Sequence, residues 1–206
     1  MDDIVKQALA KWPNVPDCYG WLALDARGNW YLRDDAAQAA GPFQSAAFAS
    51  ESANRTAPDA PERRAAAKGS RLLHEKLVDF IQRNYEADVQ GRWFFQNGPQ
   101  RVYVELEATP WIWRIGSAPE FAVATHTGAV AQLAGCLLDE QGRVYLQTDI
   151  GFGLVHSLDM THAADAIEQG NWVPEPVQSA DLAQRFGYVT SPQRAKEMPL
   201  DPLIAI

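Results

Sequence analysis

The segment His156-Ser157-Leu158-Asp159-Met160-Thr161-His162 has the spacing that would line three metal ligands along one helix face. Asp159, however, stands where a helix would begin, and a capping carboxylate is occupied by backbone N–H groups rather than by a cation. Histidines flanking a helix start are the plainer account, so no metal and no other cofactor is expected. Glu105 and Glu107 fall on one face of a strand, the shape of a carboxylate pair for acid–base work. They also alternate, with Tyr103, against Val102, Val104 and Leu106, which reads as a solvated strand face.

A hydrolase-like enzyme could be built on His126 or His156 with a carboxylate such as Asp149 or Asp159, provided these groups converge in one pocket. Nothing else in the chain supports catalysis. There is no Gly-x-Ser-x-Gly elbow and no glycine pattern for phosphates or dinucleotides. Cys18 and Cys136 are isolated thiols, and no neighbour of Cys18 in sequence would activate it. No catalytic residue is assigned.

The densest mixture of polar and aromatic side chains runs over 92–114. Within it Arg101, Tyr103, Trp111 and Trp113 are the candidate ligand-binding residues. Strand alternation places Trp111 and Trp113 on one face, opposite Ile112. Left open, that face would receive a protein or small ligand, or form the seam of a homo-oligomer. A covering helix would close it.

The elements that must position these groups are announced by one repeated phrase. Asp25-Ala-Arg-Gly28, Asp88-Val-Gln-Gly91 and Asp139-Glu-Gln-Gly142 are each followed by strand-forming residues. An Asp that bonds its own turn, then a Gly able to take positive φ, reverses a chain at little cost. Three hairpins are predicted there, either as an internal duplication or as unrelated uses of one favourable turn. A short helix is read over 3–11, and the apolar stripe over 72–85 predicts an amphipathic helix with Ser70 as its cap. Asn97-Gly98 turns into a strand over 101–107, and further strands are read over 111–115, 121–125 and 133–138. A helix over 163–168 is expected behind Asp159 or Thr161, and another over 181–186 behind Ser179.

The fold class is therefore α+β: a meandering antiparallel sheet of repeated hairpins with a few flanking helices. Residues 1–48 hold the first helix and hairpin, and 71–206 form the main unit. Between them 49–70 reads as a mobile linker, because 51–69 has no Val, Ile, Leu or aromatic residue. The tail over 191–206 would wrap over the body or lie free.

Composition narrows the partners. With 206 residues, 47% hydrophobic and 21% charged, the chain can bury a full core. A net charge of −8 argues against nucleic acid, since phosphate recognition needs a basic face. No apolar run suits a bilayer, the first residues are acidic where an export signal would be basic, and the thiols suit a reducing cytoplasm.

The strings Trp12-Pro13-Asn14-Val15-Pro16, Cys18-Tyr19-Gly20-Trp21 and 92–103 (Arg-Trp-Phe-Phe-Gln-Asn-Gly-Pro-Gln-Arg-Val-Tyr) resemble a proteobacterial family of uncharacterised cytoplasmic proteins. More distantly, the order of hairpin, helix, second hairpin and the strand at Val102-Tyr103-Val104-Glu105 resembles a second family of unknown function. That likeness implies repeated motifs in an α+β arrangement and a link to signal transduction. Neither family carries a catalytic motif to transfer. The leading expectation is a cytoplasmic, non-catalytic binding or regulatory module.

Overall fold

A computed structural model describes residues 1–43 and 60–197. The first helix, α1 (Asp3–Lys11), spans the expected residues and buries Val5. The first hairpin follows as β1 (Cys18–Leu24) and β2 (Trp30–Leu32) around the Asp25 turn. A short helix, α2 (Asp35–Ala40), is capped by Asp34, whose carboxylate accepts the Ala37 N–H at 2.8 Å.

Part of the expected linker is ordered. Residues 60–68 form α3 (Ala60–Lys68), and Ser70–Arg71 pairs with β2 as strand β3. A stretch without large apolar residues reads as linker because it cannot anchor itself. Here the anchor comes from elsewhere: Ala67 is buried, and its carbonyl accepts a hydrogen bond from the buried Arg33. The remainder of that expected linker, and the end of the tail, lie outside the described residues.

The predicted stripe over 72–85 narrows to α4 (Glu75–Arg83). Its cap is His74, whose Nδ1 accepts the Leu77 N–H, rather than Ser70, which pairs with Leu32 in the sheet. Tyr85 has already left the helix for β4 (Tyr85–Ala87), which continues through the Asp88 turn into β5 (Trp93–Asn97) and β6 (Gln100–Leu106). The second half contains β7 (Trp111–Ile115), β8 (Val123–Thr125), β9 (Val130–Ala131), β10 (Leu133–Asp139), β11 (Val144–Thr148) and β12 (Gly151–Val155). A 3-10 turn, Ser157–Asp159, leads into α5 (Met160–Glu168); β13 (Pro174–Val177), a second 3-10 turn (Ser179–Asp181), α6 (Leu182–Arg185) and α7 (Pro192–Glu197) complete the chain.

The α+β class with repeated hairpins holds, and the strands divide into two mixed sheets. The first has the order β3-β2-β1-β6-β5-β4, and the second, read from its far edge, β9-β8-β7-β12-β11-β10-β13. Adding six to each label of the first sheet reproduces the first six strands of the second, to which β13 is added at the edge beside β10. In each half a three-strand meander closes back so that its last strand lies parallel to the first strand of that half, β6 on β1 and β12 on β7. β1 thus lies in the middle of the first sheet, between β2 and β6. The two halves repeat one topology, which favours duplication over chance reuse of a turn.

A shared core joins the sheets. Leu22, Leu24, Val104 and Leu106 of the first meet Ile112, Leu137, Phe152 and Leu154 of the second. The opposite face of the second sheet, with Trp113, Val144, Leu146 and Val155, is covered by Ala163 and Ala166 of α5 and by Trp172. Alternation along β7 and β12 feeds both cores, so the second sheet is apolar on each side.

Candidate functional site

The three Asp turns adopt one geometry. At each, Oδ1 accepts the N–H groups two and four residues on, at 2.8–3.0 Å. The Gly takes φ of 75–77° and donates to the Asp carbonyl at 3.0 Å. Each Oδ2 also accepts a tyrosine hydroxyl, from Tyr31, Tyr103 and Tyr145 respectively, at 3.0–3.2 Å. Thr125-His126-Thr127-Gly128 is a fourth copy, with the Thr125 hydroxyl accepting the N–H of Thr127 and Ala129.

One difference sets the first turn apart. Arg92 and Arg143 each place Nε on their own turn's Asp, at 2.7 and 2.6 Å. The corresponding residue of the first turn is Asn29, whose amide donates to Asp25 at 3.0 Å. The missing cation is supplied by α3: Lys68 Nζ lies 3.6 Å from Asp25 and 3.7 Å from Glu107. Glu107 in turn accepts the Ala26 N–H at 2.8 Å, which ties the turn to the end of β6.

Lys68 is delivered there by packing. Arg33, 1% exposed, donates to the carbonyls of Ala67 at 2.8 Å and Gly41 at 2.6 Å, which pins the last turn of α3. Gly69 then takes φ of 78° with its Cα against the Leu32 carbonyl, where any Cβ would collide.

These groups form one wall of a cleft of about 650 Å³. The other wall comes from the second half, with Arg143, Leu154, Val155 and Met160. Arg27 and Arg71 also line it, and neither makes an ion pair among the described residues. Burial would raise the pKa of Asp25, but bonds from Asn29 and Arg27 N–H, with Lys68 nearby, outweigh it and hold the carboxyl below its usual range. Burial and the Asp25 charge push the Tyr31 hydroxyl up to about 12, so it serves as a donor. Such a cleft can hold a small molecule with a polar end and an apolar body.

The residues singled out from sequence lie elsewhere. Tyr103 is fully buried, stacked on Tyr19 at 4.5 Å and bonded to Asp88. Arg101 is exposed and lies over Phe94, 4.7 Å from the ring centroid. Trp113 is 0% exposed and donates to the Leu146 carbonyl, so it offers neither an open platform nor a dimer seam. Trp111 sits where the two cores meet, beside Tyr85, Trp93 and His126.

Glu105 and Glu107 do not form a solvated face: they are 4% and 7% exposed. Glu105 accepts the Ser191 hydroxyl and the Gln193 N–H, so the C-terminal segment covers one and Lys68 and Ala26 engage the other. Periodicity cannot reveal a polar partner brought in from distant sequence.

The histidines are likewise committed. His156 caps the 3-10 turn through the Leu158 N–H, and His162 Nδ1 lies 2.9 Å from the Ile115 carbonyl. Asp159 is not a side-chain cap for α5; it binds Arg114 and the Ile115 N–H. Asp149 accepts the Gln132 N–H. No histidine–carboxylate hydrogen bond occurs among the described residues. His126 Nδ1 accepts the Ile112 N–H at 3.3 Å, and its Nε2 is shielded without a partner, as are the indole N–H groups of Trp30 and Trp111. Ser179 is no cap either; it donates to Glu140.

A family described as "Protein of unknown function (DUF2946)" matches residues 1–193. The chain belongs to this family. No curated protein and no solved structure matches it. Family membership thus accords with the resemblance to an unknown-function family and carries no activity with it. Among the described residues, no helix is long and apolar enough to cross a membrane. Of this family member's cleft, sequence reading missed Arg27, Tyr31, Lys68 and Arg71. The one available signal was Asn29, standing where the other two turns carry Arg.

Proposed function

We propose that the protein is a bacterial cytoplasmic binding module of regulatory type, whose ligand is a small molecule held in the cleft between the two halves. The observation that carries this reading is the specialised first turn. Two copies of the turn neutralise their Asp with their own Arg, whereas the first, which lines the cleft with Asp25, Ala26, Arg27 and Asn29, takes its cation from α3. The third turn reaches the same cleft through Gly142 and Arg143, but Arg143 is held by its own Asp139, so at the cleft only the first turn draws its cation from a distant element. The cytoplasmic assignment is supported by two free cysteines, Cys18 and Cys136.

A thermal-shift screen against a metabolite collection tests the reading, using the wild type and Ser157→Trp. Ser157 is an exposed cleft residue, so the indole fills the cavity without disturbing a core. Expected is a compound that raises Tm of the wild type and not of the variant, since only a ligand of the folded state stabilises it. Compounds that shift both equally would place the ligand elsewhere and overturn the assignment of the site.

A further inference from the structure

We infer that the cleft selects an anion with an apolar body, an amphiphilic carboxylate or phosphate monoester; this rests on the cleft being the ligand site. The charged lining is unequal. Arg27, Lys68, Arg71 and Arg143 face it, against Asp25 and Glu107. Both carboxylates are fully engaged: Asp25 by two backbone N–H groups, the Asn29 amide, the Tyr31 hydroxyl and Lys68, and Glu107 by the Ala26 N–H and Lys68. Arg143 is held by Asp139 of its own turn. That leaves Arg27 and Arg71 as the uncompensated cations of the site, in a protein whose net charge is −8.

Two guanidiniums lining one cleft suit a carboxylate or phosphate, since each presents a planar pair of N–H donors. Leu154, Val155 and Met160 on the opposite wall offer nothing to such a head and suit an alkyl or aryl body. A cation head would meet only carboxylates already saturated by donors. The overall acidity of the chain would repel anions at long range, so selection falls to these two side chains at contact distance.

Titration calorimetry with octanoate, octyl phosphate and 1-octanol, all below their aggregation concentrations, reads this out on the wild type, Arg27→Gln and Arg71→Gln. Both arginines are exposed, so their variants keep the fold. Expected is binding of one or both anions at least tenfold tighter than of octanol. Each substitution should weaken the anions by about tenfold and leave octanol unchanged. The stronger of the two anions identifies the head group. Octanol binding as tightly as the anions, or variants that bind all three unchanged, would overturn the selection for charge while leaving an apolar cleft. No binding of any of the three overturns this inference, and the Ser157→Trp comparison decides separately whether the cleft is a site at all.

Discussion

Asp88 and Asp139 hold equivalent turns in the two halves of the chain, each between the first two strands of a three-strand meander. Each accepts an Arg Nε four residues on, and each receives a tyrosine hydroxyl at 3.0 Å. The tyrosines differ in origin: Tyr103 comes from β6, fifteen residues along, and Tyr145 from the strand immediately after its turn. The geometry is therefore kept by the carboxylate, while its outer partner is recruited from whichever strand lies closest.

The matching glycines test how much of each turn is local. Gly91 and Gly142 share φ of 75°, which costs a residue with a Cβ about 1 kcal/mol. A Cβ at Gly142 meets nothing within 4 Å, whereas at Gly91 it collides with the Gly187 carbonyl. Gly142→Ala should lose about 1 kcal/mol in urea denaturation and Gly91→Ala more than twice that. Equal losses would mean that 187–189 moves away freely from the second turn.

Arg33 is enclosed by backbone carbonyls of Gly20, Ala37, Gly41 and Ala67, at 2.6–3.4 Å. Burial lowers its pKa, and the Glu105 charge partly offsets this. Arg33→Met keeps the volume but leaves those carbonyls without their donor, at a cost of about 3 kcal/mol. Amide exchange at Ala67, Lys68 and Gly69 should accelerate more than exchange in β11. Uniform acceleration would show that Arg33 supports the whole fold rather than the seat of α3.

His126 gives the protein a sensitivity to acid. Burial depresses its pKa from 6.5 to about 3, with Asp25 opposing in part. As pH falls, the unfolded chain takes up this proton first, so the stabilisation is complete above about 6.5 and is lost progressively down to about 3. His126→Asn supplies an Oδ1 for the Ile112 N–H and does not titrate. Between pH 7 and pH 4.5 the urea midpoint of the wild type should fall further than that of the variant. Parallel falls would assign the acid sensitivity to carboxylates alone.

The sequence by itself determined the local devices: α1, the Asp-x-x-Gly turns and the strands they join, because each depends on dihedral preferences and bonds within a few residues. It also determined the fold class. Tertiary structure alone decided that the strands form two like sheets, since the parallel contacts of β1 with β6 and β7 with β12 join segments that no local pattern links. It likewise decided the site. Lys68 reaches Asp25 from a distant stretch of chain, Glu107 is buried by partners from β1's turn and α3, and Trp113 is sealed by α5. Periodicity reports which face of an element is apolar; what is laid against that face is fixed only when distant segments compete to bury it.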